Sequence, residues 1–258
     1  MSDGKDILSF NPNKKGVLFI VKKMNVLQKL TRIFIAPADV IHEIKEKPEF
    51  LLPFLYVFII KAITGVLQRP MGELQQEEMV RLSIERYGVN LFSTSNAGIS
   101  TNQSFWIGIL LLPITLWIGW LIGSFFVWII SKIIKGKSTY QQVLSLLIHI
   151  SMLTATVTLL VTPIDLLLQN STTIFGLSIL YPSGDMTSFI YNALNLMTLP
   201  SIWGAALTGI GLSIINEFSQ KKGYIVAIIL YIITILLGAG SVSMSFWILD
   251  IVTKQGLM

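Results

Sequence analysis

The chain has 258 residues, 53% of them hydrophobic and 13% charged, with a mean hydropathy of +0.70 and a net charge of +5. A soluble domain carries about 25% charged residues, so this composition leaves too few charges to cover a soluble globule and points to lipid as the solvent. No cysteine and only two histidines are present. That excludes disulfide scaffolds, iron–sulfur ligation and the usual Cys/His zinc sites. The lysines and arginines sit beside apolar runs, which fits membrane orientation and not nucleic-acid binding.

Residues 1–48 read as a basic cytoplasmic segment and residues 49–258 as a membrane domain. The early apolar run 16–21 is too short for a signal peptide and is followed by Lys22 and Lys23, so the segment is expected to stay attached. Over 24–35, Val26, Leu27, Leu30, Ile33 and Phe34 share one arc of a helix and Asn25, Gln28, Lys29 and Arg32 the opposite one. The segment has little other apolar material to bury that arc. It therefore reads as an interfacial helix that lays Lys22, Lys23, Lys29 and Arg32 on lipid headgroups. A packing helix of a small cytosolic domain is the alternative. Pro37 ends this helix and can open a second one through Lys47.

Apolar runs of about 20 residues must satisfy their own backbone hydrogen bonds in lipid and so form spanning helices. Five are predicted, at 49–67, 105–134, 143–168, 194–215 and 224–249. The fold class is thus all-α, a polytopic membrane protein with five transmembrane helices and an amphipathic N-terminal segment. Of the 19 Lys and Arg, fourteen fall in segments on one side, four on the other and Lys61 within a span. Basic residues are retained in the cytoplasm, which puts the N-terminus inside and the C-terminus outside. Between the first two spans, 71–87 is helix-forming and Gly88 is placed as a stop. It reads as a surface cap.

No phosphate loop, zinc-protease motif, nucleophile elbow or intramembrane carboxylate pair is present, so neither catalysis nor a cofactor or metal is expected. His149 shares an arc with Ser145 and Thr156, which predicts a satisfied interhelical hydrogen bond. In the third span Ser151, Thr154, Thr158, Thr162 and Asp165 form one polar stripe, either a helix-packing seam or the wall of a cavity. Small residues predict the complementary seams: Gly119 with Gly123 in span two, Ala205, Gly209 and Ser213 in span four, and Ala239 with Ser243 in span five. Lys61 either snorkels to the outer interface or pairs with Asp165 at the end of the stripe.

Residues 36–48, leading through Glu49 to Pro53, are a proline-opened acidic-basic helix that enters the first span. With residues 136–145 before span three, and 195–211 with Trp203 and Gly211, the chain resembles the bacterial branch of the Yip family, the Ypt/Rab-interacting membrane proteins, over about 30–249. The Asp-Leu-Tyr-Gly-Pro sequence of eukaryotic members is absent, which argues against Rab binding. The resemblance implies a non-enzymatic protein acting through membrane partners. For bacterial members it implies an accessory subunit of an exporter of the ATP-binding-cassette (ABC) type, some in defence against antimicrobial peptides. The seams would dock on permease helices and the basic segment on lipid or on the partner. A membrane-organising scaffold and a small solute carrier using the stripe are the alternatives.

Overall fold

Capping residues set several of the helix ends. In the computed structural model, which describes residues 7–9, 19–21, 24–88, 101–168, 176–181 and 185–254, Asn25 opens α1 (Val26–Ile35). Its side chain accepts from the Gln28 amide at 2.8 Å, and Gln28 Oε1 accepts from the Asn25 amide at 3.1 Å. Such reciprocal bonds satisfy two donors that a helix start leaves orphaned. Pro37 opens α2 (Pro37–Glu46), where a missing amide hydrogen is tolerated. Before α1, three-residue strands β1 (Ile7–Ser9) and β2 (Phe19–Val21) pair antiparallel, an element the sequence pattern did not predict.

α3 (Leu51–Leu67) is followed after Gln68 by α4 (Arg69–Tyr87), bent by 58°. Gly88 ends α4 in the left-handed region at φ 73°, as its position predicts. The 17 residues of α3 reach about 25 Å, slightly short of a hydrocarbon core of about 30 Å. Four described helices are long and apolar enough to cross alone: α5 (Thr101–Ile133), α6 (Tyr140–Leu167), α8 (Leu199–Asn216) and α9 (Gln220–Lys254). Counting the bent α3–α4 pair as one span brings the number to five. The protein is an all-α polytopic membrane protein.

The fourth span starts later than predicted. A short helix α7 (Phe189–Leu196) stops at Met197, and Thr198 caps α8 by accepting from the Ser201 amide at 3.2 Å, with Pro200 in the first turn. Apolar residues run through this break, so hydropathy alone did not mark it.

α1 is docked on protein. Ile33 of α1 and Val40, Ile41 and Ile44 of α2 share one buried cluster with Val143, Leu146, Ile150 and Leu153 of α6 and with Leu207, Leu212 and Ile215 of α8. The apolar partners that residues 1–48 lack are supplied by one end of the membrane helices, called here the basal end. The cluster runs across the division expected at 48/49.

Candidate functional site: the basal polar junction

Where α1, α2, α6 and α8 meet, buried apolar surface gives way to a network of charges. Lys29 is 2% exposed, and its Nζ lies 3.0 Å from Glu43 Oε1 and 3.4 Å from Glu49 Oε2. Glu43 Oε2 also accepts from the Met24 amide at 3.3 Å. Ser145 donates to the Glu49 carbonyl at 2.6 Å, and His149 Nδ1 donates to the Ser145 carbonyl at 2.8 Å. The predicted interhelical bond of His149 is thus a bond within α6, because the carbonyl one turn back is already in reach; its Nε2 is buried with no partner among the described residues. A cleft of about 550 Å³ opens beside the network, lined by Asn25, Lys29, Pro48, Glu49, Leu51 and Leu52.

A second part of the junction fixes the α5–α6 loop to the end of α8. Asn216 Oδ1 accepts from the Ser138 amide at 3.2 Å, and a Cβ on Gly136 would stand 2.2 Å from that oxygen, so only glycine fits the approach. Glu217, itself in the left-handed region at φ 58°, holds Lys137 Nζ at 2.6 Å and Lys45 Nζ at 2.9 Å. Hydrogen bonds from Lys137 and then Lys45 lower the Glu217 carboxyl to about 2 from an ordinary 4.5. A carboxyl lowered by folding stabilises the fold above its unfolded value and loses that contribution as pH falls toward its folded value. The loss should therefore run from about pH 4.5 down to about 2. Because the group is largely solvated the effect is small. Melting temperatures in detergent should separate wild type from Glu217→Gln at pH 6 and converge by pH 2; a constant gap would contradict the ion pairs.

Three hydroxyl residues of the α6 stripe, Ser151, Thr154 and Thr162, pack against neighbouring elements. Ser151 accepts from Trp120 Nε1 of α5 at 3.2 Å, and Thr162, fully buried, accepts from Gln68 Nε2 at 3.3 Å. Thr154 places its methyl against Gly204 of α8, while Thr158 donates to the Thr154 carbonyl at 2.9 Å and is exposed. Each of the four hydroxyls donates back to a carbonyl of its own helix. Tyr56 reaches the adjacent Thr156 at 2.8 Å.

Lys61 and Asp165 are not brought together. Asp165 is 2% exposed, whereas Lys61 lies on the bundle surface and makes no ion pair or hydrogen bond among the described residues. α3 turns Val57 and Thr64 inward, and Lys61 falls on the flank of that face. Its six remaining residues to the end of α3 span about 9 Å, most of which a lysine stem can cover.

The small-residue seams divide sharply. Gly209 and Ser213 pack against α9, where a Cβ on Gly223 would meet the Gly209 carbonyl at 2.4 Å and the Ser213 Cβ at 2.8 Å. Ala205 is half-buried on the same helix, and Ala239 is fully buried on α9. Gly119 and Gly123 differ. A Cβ on either meets no atom within 4 Å, and none of the apolar window of α5 is buried. The seam expected there has no partner helix among the described residues.

For the expected lipid-binding residues, Lys22 and Lys23 lie outside the described residues. Lys29 points into protein, because the α1 arc that carries it faces Glu43 and Glu49. Arg32 is half-exposed and pairs with Asp39 at 3.0 Å. Residues missed at the sequence level include Glu43, Asn216, Gly223 and Gly204, which lies against Thr154; Glu49 and Gly211, which lies against Leu146, were singled out only for the family resemblance. The seven-residue spacing of Gly204 and Gly211 was the available signal. At the far end Arg86 holds Asp185 at 3.1 Å, and Tyr87 donates to Asp250 at 2.7 Å, tying α4 to the turn before α7 and to α9.

The Yip1 domain matches residues 31–242, from within α1 to within α9. No curated protein and no solved structure matches the chain.

Proposed function

The chain belongs to the Yip1-domain family, and from that premise we propose that it is a non-enzymatic interaction subunit that docks a partner's membrane helix on α5. The partner proposed is the permease of an ABC-type exporter, in a bacterial cell membrane and in defence against antimicrobial peptides, as the resemblance to bacterial members implies. The observation that carries the reading is the contrast between seams. Those of α8 and α9 are filled within the chain, whereas among the described residues nothing packs on Gly119 and Gly123 of α5. Close backbone approach at such surfaces drives helix association in lipid, where apolar burial alone gives no preference. A photo-crosslinking residue at Ile122, exposed on the same face, should yield a protein adduct containing a permease helix. Lipid adducts alone, or adducts only to a second copy, would overturn the partner assignment. The solute-carrier alternative gains no support from the stripe, whose hydroxyls are engaged in helix bonds.

The proposed orientation places the basal end in the cytoplasm, with the N-terminus inside and the C-terminus outside. It rests on the division of fourteen basic residues against four. The native chain has no cysteine, so single replacements report cleanly. Glu77→Cys should react with an impermeant maleimide in intact cells and Lys135→Cys only after lysis; the reverse pattern would invert the topology.

A further inference from the structure

At the basal end, the described basic residues sort into two groups. Lys29, Lys47, Arg32, Lys45 and Lys137 each have a carboxylate partner: Glu43 and Glu49, Glu49, Asp39, Glu217 and Glu217 respectively. Lys132, Lys135, Lys221 and Lys222 have none among the described residues. All four lie at the junction of the end of α5 with the start of α9, and none lies on the N-terminal helices where lipid contact was expected.

Local structure positions this group. Lys222 Nζ donates to the Ile134 carbonyl at 2.7 Å and sits 4.1 Å from the centre of the Phe218 ring. Lys132 Nζ donates to the Gly136 carbonyl at 3.3 Å. These contacts hold two ammonium groups at the loop with donors to spare, since an ammonium has three. Lys135, in the left-handed region at φ 65°, and Lys221 are exposed. Beside the lysines, Ile133, next to Lys132, is 75% exposed, and Ile225, one turn further into α9 than Lys221 and Lys222, is 48% exposed. Apolar side chains thus adjoin uncompensated cations at the level where a spanning helix leaves the hydrocarbon.

We propose that this α5–α9 corner binds the phosphate of an anionic phospholipid, its acyl chains lying along Ile133 and Ile225. The charge is complementary, and no carboxylate among the described residues competes for the four lysines. A lysine near an anionic leaflet contributes about fivefold in binding. Basic contact with lipid therefore belongs to the loops of the membrane domain, while the N-terminal basic residues that the structure describes hold protein to protein.

The full chain, purified in mild detergent, is equilibrated with mixed micelles of phosphatidylglycerol and phosphatidylcholine, and the retained lipid is measured by native mass spectrometry. The wild type should retain phosphatidylglycerol over phosphatidylcholine, and less so at high salt. Replacing all four lysines with glutamine should lower that preference at least tenfold. Lys135→Gln with Lys221→Gln leaves the Ile134, Gly136 and Phe218 contacts in place and should lower it at least about fivefold, whereas Arg32→Gln should leave it unchanged. No preference in the wild type, an unchanged preference in the double variant, an equal loss in Arg32→Gln, or displacement of the lipid by a soluble acidic peptide would each overturn the assignment. Loss of the permease adduct at Ile122 tests a different face and leaves this result unaffected.

Discussion

Gly223→Ala should destabilise the isolated protein by about 3 kcal/mol or more, at the upper end of the range for overpacked cores. The added carbon would stand 2.4 Å from the Gly209 carbonyl and 3.0 Å from the Ser213 amide, both backbone groups of α8. Neither can rotate away, so α8 and α9 would have to separate along their shared seam. Gly211→Ala should be milder, about 1–3 kcal/mol, because the atoms it meets at 2.5 and 2.6 Å are the methyl ends of Leu146, which can change rotamer. Gly119→Ala and Gly123→Ala should leave the isolated chain unchanged. Thermal unfolding in detergent would rank the variants; equal losses at Gly223 and Gly119 would contradict the assignment of filled and open seams.

The second large effect is expected at Lys29. Lys29→Met removes the cation from a carboxylate whose side chain is only 6% exposed, Glu43. Breaking a buried pair from one side strands the other charge and costs about 3–5 kcal/mol. Lys29→Met combined with Glu43→Leu should recover most of that, since both charges and their desolvation disappear together. Glu49, half-buried and shared with Lys47, keeps a partner in the combined variant. Additive losses in the double-mutant cycle would show that the pair does not tie α1 to α2. Salt should barely affect the docking of α1, in contrast to a helix held on anionic lipid.

These two sites differ in how far the sequence announced them. The apolar runs declared the spans because their length against the bilayer permits little else, and Gly88 and Pro37 declared ends because each has a local physical role there. Gly209 and Ser213 were readable as a seam from their four-residue spacing. What that spacing does not carry is which seam finds a partner within the chain, and so Gly119 and Gly123 looked equivalent to them. Gly223 directly follows a pair of lysines and belongs to no small-residue repeat, although it leaves no room for a side chain against the backbone of α8. The misreading of Lys29 has another cause. A helical projection assigns every lysine to the wet face, and residues 1–48 alone offer nothing to bury it. The buried partner, Glu43, lies on α2, and the apolar surface under α1 comes from α6 and α8, more than 100 residues onward. Likewise, Lys61 and Asp165 share a half of the membrane by counting residues, but helix rotation, which counting does not fix, puts one outside the bundle and the other inside.

The open face of α5 remains the feature on which the functional reading depends. Affinity purification from the native membrane in mild detergent, with wild type and Gly119→Leu/Gly123→Leu side by side, tests it most directly. The expected result is a stoichiometric transporter partner with the wild type and its loss with the variant, at unchanged melting temperature of the isolated chain; a wild type that purifies alone, or a partner that the variant retains in full, would contradict docking through α5.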